Sequence, residues 1–296
     1  MSEQRLGNGM AAFSFFLWGL LPLYYQFLPN AATDELLALR LIASVPFGAA
    51  IVLFITKRLP DFNAIWADKR SLIYSTAATV MMSISWCAFT WALTNDRVMD
   101  ASLGFFISPI TMMALGVFFL KESLSVGKKV ALILACIGLA YQIIHYGEVP
   151  YIALTMAIFF TFYGWCKKKV NYNWSTGLFV EALVLLPIAF VYMVFKESTI
   201  GTESLHSDAI TFALYIGAAP ATLLPLVFYS IAIRLTTMST IGLMQYIEPT
   251  IQFFLAIYLF GEAFDEVKLV SFSFIWAGLI FTIFDSLRYR YTAKYR

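Results

Sequence analysis

Charge is scarce in this chain: 20 Lys and Arg and 18 Asp and Glu make up only 13% of its 296 residues, about half the share found in soluble domains. Beside 60% hydrophobic residues, that is too little charge to cover a water-facing surface, so a soluble globular protein is excluded. The net charge of +2 gives no reason to expect nucleic acid or an acidic partner. Histidine is limited to His145 and His206, and neither lies near a cysteine. The three cysteines, Cys87, Cys136 and Cys166, all fall inside apolar runs, so neither a disulfide framework nor a metal cluster is expected. No Gly-x-x-x-x-Gly-Lys-Ser/Thr loop and no Ser, His and Asp set occur, which argues against ATP-driven pumping and hydrolysis. The expectation is no enzyme, no cofactor and no metal.

What the chain has instead is long apolar runs. A membrane-crossing helix needs roughly 20 apolar residues, and ten such runs can be read: 9–28, 35–55, 71–93, 98–120, 130–146, 150–166, 176–195, 209–233, 239–260 and 267–287. The first is too long for a cleaved signal core and is read as a retained span. With the N-terminus inside, the inner segments hold 16 of the 20 basic residues, among them Lys57, Lys128, Lys167 to Lys169, Arg234 and Arg288. Arg97, Lys196 and Lys268 are left outside, and Arg40 falls within a span. Both termini are therefore expected in the cytoplasm, which requires an even number of spans.

The chain also repeats itself. An offset of 140 residues superposes Pro109 on Pro249, Glu122 on Glu262 and Gly138 on Gly278, and offsets of 145 and 146 bring Trp18 onto Tyr163 and Glu35 onto Glu181. Each unit is five spans long, and five is odd, so the second unit enters the membrane from the opposite side. The expected fold is all-α and integral to the membrane, with ten transmembrane helices in two inverted five-helix repeats, 1–146 and 147–296. Such repeats recur in secondary transporters around a midplane site.

Several residues inside the spans stand out chemically. Pro109 and Pro249 each remove an amide at midspan, freeing the carbonyls of Phe105 and Gln245; each is either a hinge or site element or a packing kink. Gln245, Glu248 and Gln252 recur at helical spacing beside Tyr246, and Ser108 is the counterpart of Glu248. Glu248 is read as the only acidic side chain near the centre of a span, where an ionised carboxylate costs several kcal/mol. It is a candidate for proton coupling or cation recognition, or else a structural carboxyl paired with Arg40 or a backbone group. Arg40, five residues into its run, either contributes to the site or snorkels outward. Trp18, Trp86, Thr90, Phe105, Tyr163, Tyr229 and Tyr246 could line an aromatic cavity for a planar, amphipathic solute, or form core and interfacial belt. Glu122 and Glu262, at the ends of their spans, are read as caps or interfacial gates.

The segments Trp-Cys-Ala-Phe-Thr-Trp-Ala (86–92), Ala-Ser-Leu-Gly-Phe-Phe-Ile-Ser-Pro (101–109), Phe-Phe-Leu-Lys-Glu (118–122) and Gln-Tyr-Ile-Glu-Pro-Thr-Ile-Gln-Phe (245–253) resemble the RarD branch of the EamA transporters, in the drug/metabolite transporter superfamily. The resemblance runs over nearly the whole chain. It implies a bacterial inner-membrane permease, in a branch usually labelled chloramphenicol-sensitive or chloramphenicol-resistance. The family often has Asn where this chain has Ser85 and Ser108. The resulting expectation is a secondary transporter, an exporter of small metabolites or drug-like compounds, working by alternating access with protons as a possible partner. A facilitative channel and a non-transporting receptor or scaffold remain the alternatives.

Overall fold

The computed structural model describes residues 3–28, 31–57, 62–94, 98–147, 150–261 and 265–294. Every regular element among them is a helix: α1 (Glu3–Tyr25), α2 (Thr33–Thr56), α3 (Phe62–Ala67), α4 (Lys69–Thr94), α5 (Val98–Phe118), α6 (Val126–Tyr146), α7 (Tyr151–Lys169), α8 (Trp174–Thr199), α9 (Ala209–Leu235), α10 (Met238–Gln245), α11 (Ile247–Tyr258) and α12 (Glu266–Lys294). Seven of these are long and apolar enough to cross a membrane: α1, α2, α4, α6, α8, α9 and α12. In α5 the segment Leu103–Phe118 is a shorter apolar helix, and α7 ends on three lysines. The chain is thus a multi-pass membrane protein built of helices, in which each span satisfies its own backbone hydrogen bonds within the bilayer.

Local chemistry sets the helix starts. Ser125, Asn173 and Thr237 open α6, α8 and α10 by accepting the amides of Lys128, Thr176 and Thr240, and Asp208 opens α9 by accepting from Ile210 and Thr211. Each shields one or two of the donors that a helix start leaves free. The ninth run is not one helix. It breaks at Tyr246, so that Glu248 and Pro249 fall in the first turn of α11, where a missing proline amide costs nothing. Its repeat counterpart Pro109 sits inside an unbroken α5.

Large apolar side chains face outward, including Phe54, Phe118, Ile144, Val191 and Phe284, each more than half exposed; this is the surface a lipid tail covers. The most extensive packing pairs are α6 with α12, α4 with α7, α1 with α9, α5 with α7, α2 with α8, and α5 with α10. The α6 and α12 backbones approach closely through small residues: a Cβ on Gly138 would lie 2.9 Å from the Ser271 carbonyl oxygen, and one on Gly278 would lie 2.8 Å from the Ala131 Cα. Without a hydrophobic drive between helices in lipid, such close backbone approach is what holds them together. Gly242 of α10 likewise faces the Pro109 carbonyl oxygen of α5, which a Cβ there would meet at 2.7 Å.

Candidate functional site

Helices α2, α4, α7, α8 and α9 border a half-open cavity of about 50 Å³. Its wall is mostly apolar, from residues such as Leu41, Met82, Leu185 and Leu223, with Ser44, Thr79 and Glu181 as its polar groups and Trp86 and Tyr163 as its aromatic ones. A smaller cavity of about 10 Å³ adjoins it, bordered by Lys167, Trp174, Ser230 and Arg234. Glu181 borders both.

Glu181 holds that boundary with one oxygen on each side. Its Oε1 accepts from Lys167 Nζ at 2.6 Å, toward the smaller cavity, and its Oε2 accepts from the Tyr163 hydroxyl at 3.3 Å, toward the larger. Both charged side chains are largely withdrawn from solvent, with 5% and 13% exposed for Lys167 and Glu181. The Lys167 ammonium also lies 5.3 Å from the Tyr163 ring centroid, a cation–π contact. Glu181 is an acidic side chain two turns into α8, within a span but away from its centre, and Lys167, read in the sequence as one of the basic residues of an inner segment, is buried against its carboxylate.

Arg40 does not snorkel outward. It is buried, with its guanidinium carbon 4.2 Å from the centroid of the Trp86 ring and Nη1 donating to the Tyr25 hydroxyl at 3.3 Å. Packing of α2 against the neighbouring helices closes the outward route that a lone helix would have left open. No ion pair joins Arg40 to Glu248 among the described residues.

The expected site residues fall into two groups. Trp86 and Tyr163 line the larger cavity; Tyr229 stacks behind Tyr163 with centroids 5.8 Å apart and planes 10° from parallel, and Trp18 packs on Tyr229 at 5.7 Å. Trp18 and Tyr229 are therefore the packed backing of the wall. The second group surrounds the crossing of α5 with α10 and α11. Gln245 Nε2 donates to Ser108 Oγ at 2.8 Å, the Tyr246 hydroxyl donates to the Phe106 carbonyl at 3.4 Å, and Pro109 and Pro249 are buried beside them. Phe105 packs on Phe89 with centroids 5.7 Å apart. Glu248 is half-buried and accepts from Gln252 Nε2 at 3.4 Å. The Thr90 side chain and Glu262 lie outside the described residues.

Other carboxylates act at the two ends of the bundle. Glu122 Oε1 and Oε2 accept the amides of Met238 and Ser239 at 2.8 and 2.9 Å, so it caps α10 and not its own helix. Fully buried Glu35 pairs with Lys196 Nζ at 2.9 Å and accepts the amides of Ser204 and Glu203 at 2.7 and 3.0 Å. Lys196 also holds Asp34 at 2.5 Å, tying the start of α2 to the end of α8. The roles of Glu181, Lys167 and Glu35 were missed in the sequence; the one signal was an acid and a lysine, each within two turns of a run end.

Comparison with known proteins agrees with this architecture. The profile of the EamA-like transporter family matches residues 5–143. The chain is 33% identical to Protein RarD of Salmonella typhi, over 96% of this chain and 97% of that one, and 32% identical to Protein RarD of Escherichia coli, over 96% of each. It is 26% identical to the chloramphenicol-sensitive protein RarD of Pseudomonas aeruginosa, over 92% of this chain and 91% of that one. A solved crystal structure superposes with a TM-score of 0.71 at 13% identity, covering 95% of this chain and 98% of the other, which establishes a shared fold. The chain belongs to the EamA-like transporter family, in its RarD branch.

Proposed function

We propose that the chain is a secondary transporter of small organic solutes in a bacterial inner membrane, an exporter of metabolites or drug-like compounds working by alternating access. In this reading α10 and α11 form one broken span, α3 lies outside the membrane, and ten spans divide into inverted units at 1–146 and 147–296, with both termini in the cytoplasm. The observation that carries it is the pairing of the helices. Shifting every span by five turns α4 with α7 into α9 with α1, α5 with α7 into α10 and α11 with α1, and α2 with α9 into α8 with α4, all of which are packed pairs. It returns α6 with α12, α2 with α8 and α5 with α10 to themselves. The match extends to atoms, for the two glycine contacts of α6 and α12, Gly138 on Ser271 and Gly278 on Ala131, exchange under the 140-residue offset. Two near-equivalent halves that share one cavity can trade conformations and expose it to either side in turn.

The name of the Pseudomonas aeruginosa relative makes chloramphenicol one solute to include among those tried. Purified protein in proteoliposomes, given a panel of small metabolites and a proton gradient imposed in either direction, is expected to give saturable, concentrative flux. Flux that only equalises concentrations and does not saturate would mark a channel, and no flux of any solute would mark a receptor or scaffold.

A further inference from the structure

Resting on the transporter reading, and naming the part of the same pathway that must move, we propose that the Lys167–Glu181 pair is the inner gate, whose separation joins the larger cavity to the cytoplasmic face. The two cavities, about 50 and 10 Å³, are too small as they stand for an organic solute, since one water alone needs about 10–15 Å³. Passage therefore requires the wall between them to yield. Glu181 borders both spaces, and its two side-chain partners come one from each: Tyr163 from the larger, Lys167 from the smaller. The smaller space lies at the end of the bundle that the reading places in the cytoplasm. Exposed Arg234, in the last turn of α9, borders it, as do Val170 and Trp174, which flank the α7–α8 connection.

The bonds at this end are of a kind that can open. Lys167 sits in the last turn of α7, so a small movement of that helix end carries its ammonium into water, where a long stem lets it stay. Water entering behind it solvates Glu181, whose other side-chain contact, with Tyr163, is already long at 3.3 Å. Hydrating both charges together avoids the large penalty of stranding one of them in the interior. The neighbouring ties are equally exchangeable with water: Lys168 Nζ donates to the Thr236 carbonyl at 2.6 Å, joining α7 to the end of α9, and Lys128 Nζ donates to the Thr240 hydroxyl at 2.7 Å, joining α6 to α10. The repeat supplies a matching device at the opposite end. Glu35, which falls on Glu181 at the offset of 146, pairs with Lys196 at 2.9 Å. Inverted halves put equivalent elements at opposite faces, so a carboxylate held by a lysine stands at each end of the bundle.

The test is side-specific thiol labelling of the full chain, with Cys87, Cys136 and Cys166 replaced by alanine and one cysteine added, either Thr79→Cys on the larger cavity or Ser230→Cys on the smaller. A charged, membrane-impermeant methanethiosulfonate is applied to inside-out vesicles or to spheroplasts, and protease cleavage of an N-terminal tag reports which preparation presents the termini. Adding Lys167→Met with Glu181→Gln is expected to speed labelling of Thr79→Cys at least about tenfold from the terminus-bearing face and less than about threefold from the other. Ser230→Cys, already on the inner side of the pair, is expected to change less than about threefold. An unchanged rate at Thr79→Cys would overturn the proposal. So would equal acceleration from both faces, which general loosening of the fold would produce, or equal acceleration at the two positions. If the double variant does not fold, Glu181→Gln alone is read in the same way, and an unchanged rate there is the overturning result. Gated labelling without flux of any solute would sink the transporter reading and leave the barrier standing, while saturable flux with ungated labelling would do the reverse.

Discussion

Replacing Lys167 with methionine leaves the Glu181 carboxylate at the boundary of two cavities without its counter-ion. Methionine keeps an apolar stem of similar length and removes the ammonium, with both its ion pair and its cation–π contact to Tyr163. At 5% and 13% exposure the pair is buried, and removing one partner of such a pair costs about 3–5 kcal/mol, whereas replacing both with neutral residues of similar volume is often close to neutral. Glu181→Gln keeps an acceptor for the Tyr163 hydroxyl, so its cost is expected at the lower end, about 2–3 kcal/mol. The double variant Lys167→Met with Glu181→Gln is expected within about 1 kcal/mol of the parent, which makes the coupling between the two sites about 4 kcal/mol or more. Titration of the detergent-solubilised protein with sodium dodecyl sulfate, followed by tryptophan fluorescence, measures all four corners of the cycle. Single-variant costs that add in the double variant, with a coupling below about 0.5 kcal/mol, would refute the pairing and with it the account of how Glu181 divides the two cavities.

Three further outcomes follow from the same geometry. Glu248→Gln is expected to abolish gradient-driven flux in vesicles while leaving detergent stability within about 1 kcal/mol, because the half-buried carboxylate's one side-chain hydrogen bond is a long 3.4 Å contact with Gln252; unchanged proton dependence in the variant would remove Glu248 from coupling. Gly242→Ala forces a Cβ to within 2.7 Å of a backbone oxygen that cannot yield cheaply, so a loss of about 1–3 kcal/mol in the same titration is expected, and no loss would show that α5 and α10 separate freely. Glu122→Ala removes the acceptor of two α10 amides and is expected to destabilise by about 2 kcal/mol, with Glu122→Gln retaining part of that; equal stability of all three proteins would deny the capping role.

The helices were legible because a continuous apolar run of about 20 residues has the length of a membrane-crossing helix, and because Ser125, Asn173 and Asp208 punctuate the runs with side chains that accept amides. The break at Tyr246 was half legible. Pro249 frees the Gln245 carbonyl, but Pro109 does the same to Phe105 and α5 stays whole, so the outcome depends on neighbours that a single span does not reveal. Trp86 and Tyr163 were found as aromatic wall residues on type alone. Glu181, Lys167 and the inward course of Arg40 were not, since a charge near a run end reads as interfacial until the helix packed against it is known. Glu35 illustrates the same limit: its partners Lys196, Glu203 and Ser204 lie more than 160 residues away.

The helix pairings carry a consequence for biosynthesis. The most extensive contacts of α1, α2, α4, α5 and α6 are with α7 to α12, and contacts within the first six helices are sparser. During vectorial synthesis the early helices therefore enter the bilayer before the surfaces they are shaped to fit exist. Gly138 and the Ser14 hydroxyl, which donates to the Pro225 carbonyl at 2.7 Å, stay without their mates until the ribosome has supplied α9 and α12. A chain truncated near residue 146 would have membrane-inserted helices and no packed interior, open to whatever complementary helices drift past. Supplied in trans, the remaining half is the natural complement, so the two fragments co-expressed should reassemble where neither alone survives quality control.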